Sequence, residues 1–577
     1  MENFDFIVIG AGSAGCVLAA RLSEDSANRV LLLEAGPENK SWWIDMPLAM
    51  DRLMVTDKFN WAFHSEPEPG AGGRSIDHPR GRVLGGSSSI NGMVYTRGHP
   101  LDYNDWRDKH GCVGWGYADL LPYFKSIETA PGGPDAYRGG KGPLKVNKPS
   151  IENPLNRAFL AAARELGYPM SPDVNGAQQE GFFVSEQSIS GGKRSSAARA
   201  FLTPEVRARG NLTILTDCLV ERILFEGTKA VGVKYARGGS SHVSNVSREI
   251  VLSAGAVGSP HILMCSGVGP AAELRAHGID VVLDLPTVGD NLEDHPDIVA
   301  RFRAAPGTSL HKYTKGLRRL WTGLQWFGFH SGPASSNQFE VGAYIRTRAG
   351  VDRPNVKFEP IPLAVRPDNF EPYPFDSFQI HLTLENARSR GRIALKTGRI
   401  EDAPKLIFNY FESDEDLRSL REATRLAREL VAASAFDGLR GDEIDPGASV
   451  RSDDELNHWI RNTMTTAYHP SSTCKMGGDS DPEAVVGPDL KVRGIQNLRV
   501  ADASIMPAGI NANLNATTIM IGARAADFVL GRTPLAPENA PFWTNPDWQT
   551  EQRHFPKTYV PGADAPRSRS VVDAAAT

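Results

Sequence analysis

Phe4-Asp5-Phe6-Ile7-Val8-Ile9-Gly10-Ala11-Gly12-Ser13-Ala14-Gly15 is the stretch from which the rest of the chain is read. The apolar run carries no charge after Asp5 and ends in GxGxxG. It passes directly into Cys16-Val17-Leu18-Ala19-Ala20-Arg21-Leu22, which reads as a helix, and a second apolar run, Val30-Leu31-Leu32-Leu33, ends on Glu34. The order is strand, glycine turn, helix, strand, acid, with Glu34 nineteen residues beyond Gly15. Gly10 permits the tight turn, Gly12 lets backbone approach a pyrophosphate, and Gly15 lets the helix pack closely on the strand. The helix amino terminus offers unpaired N–H groups to the phosphates, and Glu34 can accept hydrogen bonds from a ribose. The pattern predicts a site for a dinucleotide containing adenosine diphosphate, and it does not separate FAD from NAD.

With 577 residues, the chain is too long for one ordinary core, and its length suggests about three or four domain-sized units. Hydrophobic content of 41% and charged content of 23% describe a soluble globular protein, and a net charge of −5 implies no nucleic-acid or anionic-membrane partner. Five scattered cysteines without a CxxC pair give neither a disulfide framework nor a zinc site, so no metal is expected and a reducing compartment is. No run approaches the ~20 apolar residues of a spanning helix, and the first strand starts too early to leave room for a signal peptide. The expectation is a cytoplasmic protein, with peripheral association at the inner membrane left open.

Glycine, proline and tryptophan are frequent from Gly36 to Pro143, a stretch that includes Arg80-Gly81-Arg82-Val83-Leu84-Gly85-Gly86-Ser87-Ser88-Ser89-Ile90-Asn91-Gly92. So much glycine and serine suggests backbone passing close to a ligand. Leu155, Ala158, Phe159, Ala162 and Leu166 have helical spacing. Leu212–Leu215, Val220–Phe225 and Ala230–Tyr235 predict an antiparallel meander, and Glu249–Ala256 a buried strand. Ser259-Pro260-His261 reads as a helix start with proline in its first turn. Residues 310–460 carry many aromatics, alternating strands and a charged amphipathic helix from Asp414 to Ala433, and are expected to form the substrate domain together with 156–210. The dinucleotide domain is expected to take 1–155, 211–309 and 461–532, closing with a helix from Thr517 to Leu530. Residues 533–577 read as a poorly packed tail.

At this point the residues resemble a family. Gly81–Asn91 looks like the first signature of the glucose–methanol–choline (GMC) oxidoreductases, and Gly255–Gly269 like the second. The resemblance runs to about residue 532 and is strongest to choline dehydrogenases, through Ala334–Glu340, Tyr468–Gly477 and Asn513–Gly522. FAD-dependent primary-alcohol dehydrogenases are slightly more distant. The resemblance implies an α/β fold, with a GMC-type FAD-binding Rossmann-like domain and a discontinuous substrate domain built on an antiparallel sheet flanked by helices. It also resolves the cofactor as FAD. Some relatives tether FAD through a histidine of the first signature. Ile90 stands there in this chain, which implies non-covalent FAD.

Carried over position by position, the resemblance assigns Gly10, Gly12, Gly15, Glu34 and Ala35 to the ADP part and Trp61 to the neighbourhood of the ring system. Arg80, Leu84, Gly86, Ser87, Asn91 and Gly92 would wrap the pyrophosphate and ring, and Val220 would touch adenine through its backbone. Ala254, Asp502 and Ala503 would lie along the cofactor, with Asp502-Ala503 at the ribityl end, and Asn515 would be structural or flavin-facing. Alcohol oxidation removes a proton from oxygen and a hydride from carbon, and histidine suits the base because its pKa lies near neutrality. The family pattern places that base at His469, with Asn513 orienting the alcohol oxygen and the hydride passing to flavin N5. Glu340 matches the glutamate that faces a trimethylammonium head in a choline oxidase relative, with Phe339, Tyr468 and Trp61 as aromatic neighbours. The implied substrate is choline or another primary alcohol, with a quinone-type acceptor favoured over oxygen. An alcohol oxidase using O2 and a non-redox hydroxynitrile lyase are the alternatives on the same fold. The oligomeric state, monomer or homodimer, is not legible.

Overall fold

The computed structural model describes residues 2–367 and 369–553. Strand β1 (Glu2–Ile9), helix α1 (Ser13–Leu22) and β2 (Val30–Leu33) form the opening unit. After β3 (Gly181–Val184) come β4 (Leu212–Leu215), β5 (Leu219–Glu226), β6 (Lys229–Arg237), β7 (Ser240–Leu252) and α2 (Gly255–Cys265). Next are β8 (Pro296–Ala304), α3 (Gly316–Phe329), β9 (Val341–Ile345), β10 (Val356–Ile361) and β11 (Ser377–Leu384). Helix α4 (Asp414–Ala432), β12 (Arg440–Asp445), β13 (Leu498–Val500) and α5 (Leu514–Leu530) complete the frame of the site.

The first sheet has the order β4-β2-β1-β7-β6-β5, with β13 beside the end of β7. β1 and β2 read as unbroken apolar runs because both are parallel strands covered on both faces, and every residue of β2 is buried. The predicted meander is shifted by one strand. Leu212–Leu215 runs parallel to β2 at the sheet edge, and the antiparallel meander is β5, β6 and β7. The chain does not reverse after Leu215, because the N–H groups of Asp217 and Cys218 are held by the carbonyls of Gly36 and Glu34.

The second signature also starts its helix earlier than expected. Helix α2 begins at Gly255, so Pro260 lies inside it rather than in its first turn. Proline cannot donate to the carbonyl four residues back, and that carbonyl, of Ala256, instead accepts a hydrogen bond from Thr473 Oγ1 at 2.7 Å.

The second sheet is antiparallel throughout, in the order β12-β8-β11-β10-β9-β3. Helix α4 buries Leu417, Leu420, Ala423, Ala427 and Leu430 on one side of an otherwise charged helix, and packs against β11. The chain then returns to the first sheet. Helix α5 lies on α1 so closely that a Cβ at Gly522 would sit 2.7 Å from the Ala14 carbonyl oxygen, and Arg21 pairs with Asp527 at 2.9 Å.

Residues 533–553, expected to be a poorly packed tail, are mostly exposed or half-buried and are anchored at a few points. Trp543 is buried, Tyr137 Oη donates to the Pro541 carbonyl at 2.5 Å, and buried Arg346 donates to the Glu551 carbonyl at 2.8 Å. The proline-rich composition conceals one aromatic anchor and a set of carbonyl acceptors. Residues 554–577 lie outside the described residues.

Candidate active site

The carboxyl ends of β1, β2 and β7 point at the amino end of α1, the place where an open α/β sheet offers a crevice. Gly10 takes φ +92, and a Cβ there would lie 2.6 Å from the Ser253 carbonyl oxygen, so the turn is closed to any other residue. A Cβ on Gly15 would overlap the Gly10 carbonyl. Gly12 caps α1 with no side-chain partner for the first-turn N–H groups. A Cβ on Gly12 would meet nothing of the protein nearer than 3.9 Å. Free N–H groups and bare backbone facing a cavity fit a pyrophosphate. Gly86, at φ +53, lies against Gly12, where its Cβ would come to 2.7 Å of the Gly12 Cα. Glu34 accepts from the N–H groups of Ala11 and Gly36, both at 2.9 Å, and burial raises its pKa to about 7.

One cavity of about 2230 Å³ runs from this cradle to the second sheet. That exceeds the roughly 300–1,000 Å³ of an ordinary ligand pocket, and leaves room for a dinucleotide and a substrate. Its wall includes Gly10, Gly12, Glu34 and Ala35 at one end, and Val220, Ala254, Asp502, Ala503 and Asn515 along it. Trp61, Arg80, Gly86, Ser87, Asn91 and Gly92 also line it, as do Phe339, Tyr468, His469 and Asn513. Gly15 and Leu84 are packed behind the wall. The Asp502 carboxylate accepts from Gly255 N and Ser259 Oγ, which ties β13 to the start of α2. Asn515 Oδ1 accepts from Ser13 Oγ at 2.7 Å, joining α5 to the cradle.

Glu340 is not on the wall. Neighbouring residues of an extended chain face opposite ways, so Phe339 faces the cavity while the Glu340 carboxylate accepts from Asn156 Nδ2 at 3.0 Å and Ser336 Oγ at 3.3 Å. Carboxylates that do line the cavity include Asp297 and Glu359. Asp297 Oδ2 lies 2.7 Å from His381 Nδ1, and Glu359 pairs with Lys357 at 2.7 Å.

His469 follows a residue held in a constrained backbone conformation. Tyr468 adopts φ +63, unusual for a bulky residue. Its carbonyl accepts from Arg80 Nη2 at 2.6 Å and its N–H donates to Thr466 Oγ1 at 2.7 Å. The His469 N–H donates to buried Asp294 at 2.8 Å. Asn513 lies opposite, with its Nδ2 3.3 Å from His469 Nε2. The Asn513 amide can face only one way, because its Oδ1 accepts from Lys357 Nζ at 2.6 Å and Thr96 Oγ1 at 3.0 Å. Lysine has no lone pair to offer, so the amide N–H groups must be the side turned to His469.

The tautomers follow from the same contacts. His469 Nδ1 is 2.9 Å from His295 Nδ1, and one of the two must donate. The Asn513 amide N–H groups turned to His469 need an acceptor at its Nε2, so within the histidine pair the proton sits on His469 Nδ1 and His295 Nδ1 accepts. His469 then carries its proton on Nδ1, and its Nε2 presents a lone pair to the cavity. Both rings are neutral. Burial, then the neighbouring His295 and the cations Lys357 and Arg80, hold His469 well below its ordinary pKa, and burial followed by Lys357 takes His295 down to about 3. Glu385, 3.4 Å behind His295 Nδ1, has its pKa raised to about 8 by burial.

Two family models cover this architecture. Both are described as GMC oxidoreductase, the amino-terminal one matching residues 4–297 and the carboxy-terminal one residues 387–522. The chain is a GMC oxidoreductase. Among curated GMC relatives, mitochondrial choline dehydrogenase of Mus musculus is 45% identical over 94% of this chain and 92% of its own length. The oxygen-dependent choline dehydrogenase of Photobacterium profundum is 43% identical over 96% of this chain and 97% of its own. Among solved structures, pyridoxine 4-oxidase of Mesorbium loti superposes with a TM-score of 0.84 at 32% identity, covering 92% of this chain and all of that one. A formate oxidase of Aspergillus oryzae gives 0.87 at 25%, over 92% and 98%. As a GMC oxidoreductase the chain is an FAD-dependent enzyme oxidising alcohols, and the glycine cradle with its open helix end fits that cofactor. The sequence reading names His469 and Asn513, which the fold brings together, and does not name His295, Thr96, Lys357 or Glu385 beside them. The only local signal was Glu293-Asp294-His295-Pro296, a polar cluster ahead of an apolar strand.

Proposed function

We propose that this chain oxidises a primary alcohol to the aldehyde, with His469 as the base and Asn513 holding the alcohol oxygen. The observation that carries the reading is the lone pair of His469 Nε2 beside the Asn513 amide, both on the wall of the cavity that begins at the glycine cradle. The hydroxyl proton passes to His469 Nε2 as negative charge grows on oxygen, and the Asn513 Nδ2–H groups are aimed to meet that charge without reorganising. Lys357 and Thr96 lock the amide, while His295 keeps the ring of His469 in the accepting tautomer. Gly10, Gly12, Glu34, Gly86, Ser87 and Asp502 would hold FAD, without the covalent tether that Ile90 cannot form. Bound FAD supplies the acceptor for the hydride released from carbon.

Choline is the first substrate to test. The two relatives named above at 43% and 45% identity are choline dehydrogenases, and Asp297 and Glu359 share the wall with the aromatic faces of Trp61, Phe339 and Tyr468. Carboxylates and aromatic rings together suit a quaternary ammonium. The acceptor, a quinone-type carrier or oxygen, is read in the same experiment. The test is anaerobic bleaching of the flavin by choline, 1-alkanols, benzyl alcohols and glycol ethers, each as a single addition. Bleaching by choline names the substrate, and bleaching by another alcohol alone moves the reading to that class. Recovery of the yellow form on admitting air marks an oxidase, and persistence of the bleached form marks a dehydrogenase. No bleaching at all, with cleavage of a cyanohydrin, would replace alcohol oxidation by lyase chemistry.

A further inference from the structure

Helix α3 is built inside out. Its Thr322 and Trp326 point inward, where Trp326 packs with Met46, Ala49 and Ala334 and donates Nε1–H to the Gly192 carbonyl at 2.8 Å. The opposite stripe, at spacings of three and four residues, is apolar and open to solvent: Leu317 is 84% exposed, Leu320 60%, Trp321 65%, Leu324 55% and Phe327 55%. A water-facing helix normally carries its charges there. Large contiguous apolar surface on a folded chain marks an interaction site.

Charge says what covers it. From Ile298 to Phe339 the sequence has six Lys or Arg and no Asp or Glu, in a chain whose net charge is −5. Lys312, Lys315, Arg318 and Arg319 sit in or just before the helix, all of them exposed. An exposed stripe of Leu, Trp and Phe flanked by bases is the composition of a helix lying in the interface of an anionic bilayer. The negative net charge, which argued against such a partner, averages over this acid-free stretch. Self-association across a two-fold axis would set the same basic residues against their own copies.

We infer that α3 docks this enzyme on an anionic lipid surface, with Leu317, Leu320, Trp321 and Leu324 entering the headgroup boundary. The docking would also orient the active site. Phe327 lines the cavity and meets the ring of Trp42 at 5.5 Å, and Trp42, Leu48 and Val55 line the same cavity from the facing segment and are exposed. The mouth of the cavity therefore opens at the lipid boundary.

Trp321 and Leu324 do not line the cavity, so Trp321→Glu with Leu324→Glu removes apolar anchorage without touching the site. The FAD-loaded enzyme is sedimented with phosphatidylcholine vesicles with and without phosphatidylglycerol. The wild type is expected to bind only the anionic vesicles and to be released by salt. The double variant is expected to lose binding by about tenfold or more, with FAD content and turnover of a water-soluble alcohol unchanged. Arg318→Glu, which keeps the apolar stripe, is expected to weaken binding in the same direction. Failure of the wild type to bind anionic vesicles, or equal binding by the double variant, overturns the inference. So does a wild-type dimer that binds no vesicles and becomes a monomer in the double variant.

Discussion

His469 acts as one unit with Asn513 and His295, and separate substitution distinguishes the roles. His469→Ala is expected to abolish turnover while the flavin spectrum and FAD content persist, and reduction of its flavin at the wild-type rate would remove His469 from the mechanism. Asn513→Ala removes one donor to the developing alkoxide and is expected to lower kcat by roughly 10²–10³. The base works only when neutral, and its pKa lies well below the ordinary histidine value of about 6.5. The acid limb of the pH–kcat profile should therefore fall well below pH 6.5, and an inflection at or above that pH would contradict a buried neutral base. Stability follows the same sign. His295 titrates at about 3 in the folded chain, so the unfolded chain takes up its proton first. The contribution is complete above about pH 6.5 and is lost as pH falls towards 3. For the substrate, Asp297→Asn is expected to raise KM for a cationic alcohol more than for a neutral one, whereas Glu340→Gln is expected to leave both near wild type.

The cradle is assembled from two elements that must touch as bare backbone. Gly86→Ala puts a Cβ against the Gly12 Cα and forces a left-handed φ on a residue with a side chain, a strain of about 1–3 kcal/mol before any clash. Lower FAD retention and a lower melting temperature together are expected, read by released-flavin absorbance and thermal unfolding. This is also the scale at which sequence reading succeeds or fails. The opening βαβ unit was legible because its strand, turn, helix and acid are contiguous, each signal reinforcing the next. His295, Lys357 and Glu385 come from the approaches to, or ends of, three different strands, and only the pairing of β8, β10 and β11 brings them behind His469. No local period announces them. Glu340 failed for a smaller reason. The motif carries no information on which of two neighbours faces inward, and the pleat gives the cavity to Phe339, one residue earlier. The parallel placement of Leu212–Leu215 was likewise invisible, since β4 differs from a meander strand only in what its neighbours do.

At the scale of the molecule, the two sheets are interleaved along the chain, and the last described segment ties Tyr137 to Arg346 beside β9. Removal of everything after Arg532 would strip Trp543 from its site and leave buried Arg346 without the Glu551 carbonyl. A buried guanidinium left with one fewer acceptor costs about 1–3 kcal/mol, so the truncated chain is expected to melt several degrees lower, measured by thermal unfolding at fixed FAD. Removal of residues 554–577 alone provides the comparison.

The contact of α1 with α5 also has a meaning for how the protein is made. The first helix of the dinucleotide cradle is covered by a helix that begins at Leu514, and Ser13 finds Asn515 only when that helix exists. At roughly 5–20 residues per second, a ribosome needs about half a minute or more to travel between them. For that interval the amino-terminal sheet is synthesised but lacks a wall, so this enzyme closes its cofactor site only once α5 has been made. Lasting capture of FAD therefore waits for α5, which places cofactor loading after synthesis of the substrate domain.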